Sequence, residues 1–600
     1  MLKRLPAAAL IIALSLAAYM NSLHAEFELD DYHQIVNNSR VRDLANIPRF
    51  FVDASLGTSD LSAKGYRPVT YASFAVNYAL GGNSVVGYHI FNLALHVTNA
   101  LLVFLLLGML LKDERGLSGY VPALASLLFA LHPIQTGAVT YISGRGVLLA
   151  ALFSLSSFCC FILYRRTAHT ATAVAAAVAA PILFILGLMS KEMAAGTLGL
   201  MVMYDLLLDP RGGRGALKRA LYYVPFVALI ACYILERRFL TGYAVSSPPY
   251  TVGVYLMSQA EAFLIYLRLM LLPFNQNMDY SMPVTASINA KVAVSLCVIA
   301  AGVYFIVKAR RKHPEAAFFG AWFLVTLAPE SSVFPIRDII EEYRLYLPSV
   351  GLLALLAIIA VRAVDERRRV ARVAAVAVVL LLLSVLTMTR NSVWATESTL
   401  WNDVIRKSPR SPGAHSEIAK AYFSEGRYED SIRELETVVG LDPSPTLVED
   451  AYNNLGVLHL TLGRFDKARF YFGEVIKLNP GLVEAYAGLG EALNAQGRYE
   501  ESEEALKRGI KVAPSADLLH KELGETYQKL GRKADALAQM QQAAALAPKD
   551  YATRFSLAVM YSENRLVQQA LNEANEALSL AATKQDAEEA SSLIRKLNGQ

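Results

Sequence analysis

Residues 489–498 read Leu-Gly-Glu-Ala-Leu-Asn-Ala-Gln-Gly-Arg, and residues 523–532 read Leu-Gly-Glu-Thr-Tyr-Gln-Lys-Leu-Gly-Arg. The same frame runs from Leu455-Gly456 to Gly463-Arg464, and one more Gly-Arg pair stands at Gly426-Arg427. Prolines keep step at Pro409, Pro443, Pro480, Pro514 and Pro548. The last two intervals of each series are 34 residues, and an earlier one of 37 reflects an insertion around Ser444-Pro445. A fixed period of this length marks one supersecondary unit stacked on copies of itself.

Leu-Gly-x-x-Tyr-x-x-x-Gly-Arg, followed by small residues and a closing proline, is the tetratricopeptide signature, a helix–turn–helix. Ala468, Ala505, Ala536 and Ala570 fall where the two helices of a unit approach closely. Five units are expected over about 412–582, with a capping helix near 585–597. Such arrays present a concave groove that grips polypeptide more often than it catalyses. A folded spacer is the plainer alternative, and no chemistry is assigned to this part.

The rest of the chain is of another kind. Of 600 residues, 54% are hydrophobic and 18% charged, against roughly 25% charged in soluble domains. Mean hydropathy is +0.34. Residues 401–600 hold 24 Lys+Arg and 29 Asp+Glu, whereas residues 1–400 hold 33 and 23. An apolar, basic portion (1–394) therefore precedes a polar, slightly acidic one (395–600): an integral membrane protein with a water-soluble C-terminal domain. The net +5 does not argue for nucleic acid, because basic residues gather at cytoplasmic loops of membrane proteins. Cys159, Cys160, Cys232 and Cys297 all lie in apolar stretches, without disulfide or metal spacing.

A crossing helix needs about 20 mainly apolar residues. Candidates lie near 5–23, 86–111, 120–134, 147–164, 172–189, 193–208, 220–236, 254–273, 290–308, 315–333, 343–361 and 370–389. The first follows Lys3-Arg4 without a small-residue cleavage site before Asn21, so a retained signal anchor is expected. Short basic loops at Lys3-Arg4, Lys112–Arg115, Arg165-Arg166, Arg211–Arg219, Arg310–Lys312 and Arg362–Arg369 set the cytoplasmic side. The N-terminus is then inside, while residues 24–85 and everything after Arg390 lie outside. That needs an odd number of crossings. The segment 254–273, with Gln259, Glu261 and Arg268, is the weakest candidate. Eleven crossings are expected, with that segment interfacial or re-entrant.

The outer loop 24–85 carries Asp30-Asp31, two adjacent carboxylates at the membrane boundary. Charge there is costly unless something binds it. The pair suits an acid that orients or deprotonates an attacking hydroxyl; a solvated helix end is the alternative. The same loop holds Arg67, whose guanidinium can face a phosphate bidentately. His132, Arg145, Lys191, Glu192 and Arg344 stand at outer ends of later segments. Each singly reads as an interfacial residue; together they suit a lipid-linked phosphate. No phosphate-cradling glycine loop, zinc spacing or nucleophile elbow occurs.

The order of motifs is Asn21-Ser22-Leu23, Asp30-Asp31, Tyr66-Arg67-Pro68, Gly87-Tyr88-His89, and Asn92 with His96. Phe129–Pro133, Ser190–Met193 and Glu342–Ser349 follow, and then the repeats. This order resembles the transmembrane and tetratricopeptide-repeat O-mannosyltransferases of the glycosyltransferase C superfamily, in a bacterial relative. The resemblance implies an all-α, polytopic bundle that moves a mannose-like hexose, with inversion, from a polyprenyl-phosphate carrier to Ser/Thr hydroxyls of proteins. It implies Asp31 or Asp30 as the catalytic acid. Arg67, Tyr88, His89, His132, Arg145, Lys191, Glu192 and Arg344 would bind substrate, and the repeat groove would hold the acceptor. A bacterial inner membrane with periplasmic repeats is expected, with no nucleic acid, no metal ligands and no certain cofactor. Two departures stand out. The family carries acids where this chain has Gly137 and Val147, so the alternative is a decayed, membrane-anchored scaffold. Transfer to a lipid or glycan is a third reading.

Overall fold

The computed structural model describes residues 5–59, 65–111, 117–209, 220–240, 250–331, 338–363, 369–441 and 443–599. All regular structure among them is helical. The chain forms two compact units, Met1–Pro409 and Arg410–Gln600. The basic loops at Lys3-Arg4, Lys112–Arg115 and Arg211–Arg219, and most of Arg362–Arg369, lie outside the described residues.

In the first unit eight described helices are long and apolar enough to cross a membrane. They are Leu5–Ser22, Val85–Leu110, Ile142–Arg166, Thr170–Leu188, Val252–Leu271, Ala290–Ala309, Glu342–Arg362 and Val373–Val393. Tyr120–Leu131 and Pro133–Val139 make a ninth if taken as one span bent by 53°. The break falls at Pro133, which lacks a backbone donor. This is fewer than the expected eleven, because Gly196–Leu207, Val224–Leu240 and Pro314–Leu327 are shorter helices.

The segment expected to be interfacial or re-entrant is a continuous 20-residue helix, Val252–Leu271, long and apolar enough to be among the eight. Its polar residues find partners within the bundle. Gln259 Nε2 donates to Ile339 O at 2.7 Å, Glu261 accepts from Asn289 Nδ2 at 2.6 Å, and Arg268 donates to Phe274 O at 2.9 Å. Donors and acceptors met in this way carry little of the penalty that an isolated polar group would, although Gln259 Oε1 is buried without a partner.

The bundle core is aromatic: Phe158 stacks on Phe318 and meets Trp322 edge-on, and Trp322 Nε1 donates to Leu347 O at 2.9 Å. The Trp322 and Leu347 helices touch because Gly351 has no side chain; a Cβ there would stand 2.6 Å from Phe319 O. The outer faces are apolar too, with Val178, Phe305 and Leu381 more than half exposed, as suits contact with lipid.

The second unit comprises five helix pairs, from Pro412–Ser424 with Tyr428–Gly440 to Tyr551–Glu563 with Val567–Leu580, and a final helix Lys584–Asn598. Gly426, Gly463, Gly497 and Gly531 end the first helix of their pairs at φ +69° to +75°. Here the next residue's N–H reaches back five positions, as from Arg427 to Tyr422 O at 2.8 Å. This closes otherwise unsatisfied carbonyls, and glycine adopts the left-handed conformation without strain. The fifth turn makes the same bond from Leu566 to Tyr561 O, but with Arg565 at φ +59°.

Candidate functional site

Leu29, at φ +50°, reverses the chain immediately before the acid pair, and the two carboxylates part. Asp31 is fully buried. Its Oδ1 accepts from Ser143 N at 2.8 Å and from Ser143 Oγ, and its Oδ2 accepts from Glu28 N at 3.0 Å. Burial raises its pKa to about 7, against the pull of those hydrogen bonds. Asp30 is exposed, and its carboxylate is met by Gln34 Nε2 at 3.4 Å. Its backbone N–H donates to Tyr141 Oη at 3.2 Å. Tyr141 in turn stacks on Trp394, ring centroids 5.6 Å apart.

A second cluster gathers cations. Pro68 opens the Pro68–Gly81 helix and leaves Arg67 as its N-cap. Val69 N donates to Met189 O at 3.4 Å and Thr70 Oγ1 to Ser190 O at 3.2 Å. Those bonds place Arg67 beside Lys191 and Glu192. Glu192 Oε1 lies 4.0 Å from Arg67 and 3.4 Å from Arg237. Burial alone would raise Glu192, but Arg67, Arg237 and Lys191 override it and hold its pKa at about 2. Lys191 is itself buried, 3.8 Å from Glu330, with its ammonium 3.6 Å from the centre of the Tyr343 ring. Burial lowers its pKa to about 8 although Glu330 opposes this.

Tyr141 and Tyr343 are both walls of one narrow cleft, together with Gly137, Asn277, Met278, Glu341, Glu342, Arg390 and Trp394. Glu342 fixes one wall, accepting from Asn277 N at 2.7 Å, Tyr280 Oη at 2.6 Å and Gln276 Nε2 at 3.1 Å. Asp403 fixes another: it binds Arg390 at 2.7 Å and Lys407, whose Nζ also reaches Gln276 O. Glu341 is pushed up to about 8 by burial.

The structure thus brings together Arg67, Lys191 and Glu192, and sets the Asp30 backbone against Tyr141, which lines the same cleft as Tyr343. The other expected residues are engaged within the fold. Arg145 donates to Asn92 Oδ1 at 2.8 Å, Tyr88 O at 3.1 Å and Ser73 O at 3.3 Å, between the rings of Phe74 and Phe91. Tyr88 Oη donates to Gly82 O, and His89 Nε2 to Ala25 O at 2.9 Å. His132 Nδ1 accepts from Ile134 N, so its Nε2 donates to Met270 O. Arg344 holds the carbonyls of Asp338 and Ile339. Gly137 and Val147, where acids were expected, differ: a Cβ on Gly137 would meet open space, whereas Val147 is buried in the core. Arg237, Glu28, Trp394 and Asn277 were not foreseen. Glu28 is buried with both carboxyl oxygens unpartnered, and burial lifts its pKa to about 10. Among the described residues no three His, Cys, Asp or Glu side chains form a metal set.

Family models described as tetratricopeptide repeat match residues 413–445, 459–523 and 521–587. A protein O-mannosyl-transferase of Caenorhabditis elegans is 28% identical over 452 residues, covering 72% of this chain and 62% of that protein. Protein O-mannosyl-transferase TMTC3 of Homo sapiens is 35% identical over 152 residues, 25% of this chain and 16% of that one. The human TMTC2 is 37% identical over 158 residues, 26% and 18%. The chain therefore spans less than two thirds of each of these relatives. A thermophilic TPR protein of Thermus thermophilus aligns at 23% identity and TM-score 0.28, over 31% of this chain and 100% of that one. The resemblance carried by the motif order is borne out: the relatives are protein O-mannosyl-transferases, and the C-terminal third is tetratricopeptide repeat.

Proposed function

We propose that this chain is a membrane glycosyltransferase that moves a mannose-like hexose from a polyprenyl-phosphate carrier to Ser or Thr hydroxyls of protein acceptors. The observation that carries this reading is one cleft between two opposed chemistries. Tyr141, on one wall, accepts from the backbone N–H of Asp30, whose carboxyl is exposed. Tyr343, on another, carries Lys191 beside Arg67 and Arg237.

Asp30 accepts the proton of the acceptor hydroxyl as that oxygen attacks the anomeric carbon. The bond from that carbon to the phosphate oxygen breaks, and its electron pair leaves with the phosphate. Lys191, Arg67 and Arg237 balance the charge gathering there, which favours the transition state over the bound donor. Attack opposite the leaving phosphate inverts the anomeric centre. Asp31 shapes the turn and does not touch substrate, because both its oxygens are buried and occupied. The relatives' printed activity supports protein as the acceptor, and the repeat unit supplies a surface for it. Such a chain belongs in a bacterial cytoplasmic membrane with its repeats in the periplasm.

Mass spectrometry of exported proteins tests the reading. Hexose on Ser/Thr should be present in wild type, and lost both in a deletion strain and in one carrying Asp30→Asn at normal protein level. Undiminished hexose with Asp30→Asn overturns it. A second reading has its own observation: Gly137 and Val147 leave the expected acid positions without a carboxylate. It makes the chain a membrane-anchored scaffold, and then the repeats on any single anchor should restore a deletion strain.

A further inference from the structure

The cleft has a chemistry that the transfer step does not use. Trp394 Nε1, Arg390 Nε and Asn277 Oδ1 are buried atoms with no hydrogen-bond partner. Their residues are 3%, 6% and 5% exposed, and all three line this one cleft. A buried polar atom left unpaired forfeits its hydration and gains nothing in return. Three such atoms around one space mark a place where a ligand supplies the partners.

We propose that the cleft walled by Tyr141, Asn277, Met278, Glu341, Arg390 and Trp394 is the subsite of the transferred sugar ring, an inference that rests on the donor class proposed above. Two N–H donors, an amide oxygen and the Glu341 carboxyl call for groups that both donate and accept, as ring hydroxyls do. The stacked Tyr141 and Trp394 rings, 23° apart in plane, supply aromatic surface of the kind that packs against the C–H face of a sugar. Glu342 adds a carboxylate that already takes three hydrogen bonds, and Asp403 is shared by Arg390, Arg406 and Lys407. The phosphate is assigned to Lys191, against the Tyr343 ring.

The slot has room for little more than a water molecule, so ring entry displaces Met278, an unbranched side chain that adapts readily. Gly137 lines the same slot, and nothing lies within 4 Å of the position a Cβ would take. A side chain there would fill the space meant for the ring.

The test is calorimetric titration of the full chain in detergent with two probes, a short prenyl phosphate bearing β-linked mannose and the same prenyl phosphate without sugar. Trp394→Phe removes one donor, and Gly137→Leu occupies the slot. Each should weaken the mannosylated probe about tenfold, the worth of one buried hydrogen bond, and leave the bare phosphate unchanged. Lys191→Met should weaken both. Unaltered thermal melting of each variant shows that folding is intact. If Lys191→Met weakens binding while the cleft variants leave the mannosylated probe unaffected, the subsite is wrong and the donor class stands. If neither probe binds, both are overturned.

Discussion

Asp31→Asn and Asp30→Asn change adjacent residues and should fail in opposite ways. Asp31 receives three hydrogen bonds, two at one oxygen from Ser143 and one at the other from Glu28 N. An asparagine amide offers one oxygen. With that oxygen kept toward Ser143, its NH2 faces the Glu28 N–H, which loses a bond and opposes two donors. Such a conflict costs about 1–3 kcal/mol in a buried site, so melting should fall by a few degrees. Transfer should fall only about tenfold, through misplacement of Asp30. Asp30→Asn removes one 3.4 Å contact from Gln34 at an exposed position. Stability should stay within about 0.5 kcal/mol, while transfer drops about 10²- to 10⁴-fold with loss of the base. Thermal unfolding of the full chain in detergent and hexose transfer, measured on the same preparations, separate the two. Full transfer with Asp30→Asn, alongside loss without a change of melting in Asp31→Asn, would refute the assignment of base and support.

The pKa of Asp31 is raised by folding, from about 3.8 to about 7. Its contribution to stability is therefore complete below about pH 4 and is lost as pH rises through 7; pH-dependent melting should flatten across that window in Asp31→Asn. Glu28, raised to about 10, makes a like contribution that is lost on approach to pH 10, and Glu28→Gln should remove that alkaline slope. Arg145→Lys cannot reach Asn92, Tyr88 and Ser73 together, so it should lower stability by about 3–5 kcal/mol without selectively weakening prenyl phosphate binding by the folded fraction. Arg565→Gly should stabilise the last repeat by about 0.5–1 kcal/mol by relieving φ +59°, read as slower hydrogen exchange over 551–580.

The repeats were legible because one backbone requirement recurs. A left-handed turn favours glycine, which stands at four of the five turns, and a small residue must follow where helices touch. The cationic cluster was legible in part: Arg67, Lys191 and Glu192 follow short motifs that the Pro68–Gly81 helix draws together, while Arg237 sits at the end of a helix whose pattern gives no hint of a partner. Arg145, His132, Tyr88, His89 and Arg344 look the same in sequence as ligand-binding residues. Inside a bundle every polar group needs a partner, and sequence does not say whether that partner is a carbonyl or a substrate. The polar residues of the Val252–Leu271 helix were illegible for the same reason, since Asn289 and the carbonyls of Ile339 and Phe274 lie outside it along the chain. Asn277 lies about a hundred residues from Arg390 and Trp394, and no local pattern unites it with them.

The Asp403 tether bears on where this chain can be cut. Glu397–Lys407 has the look of a leader to the repeats, yet Asp403 grips Arg390, Lys407 reaches Gln276 O, and Ser408 Oγ accepts from Asn277 Nδ2 at 2.8 Å. A graft or truncation made where the last apolar helix ends would carry away the braces of the cleft along with the repeats. One made after Pro409 leaves them in place, so foreign repeat arrays exchanged at that seam would vary the repeat unit alone.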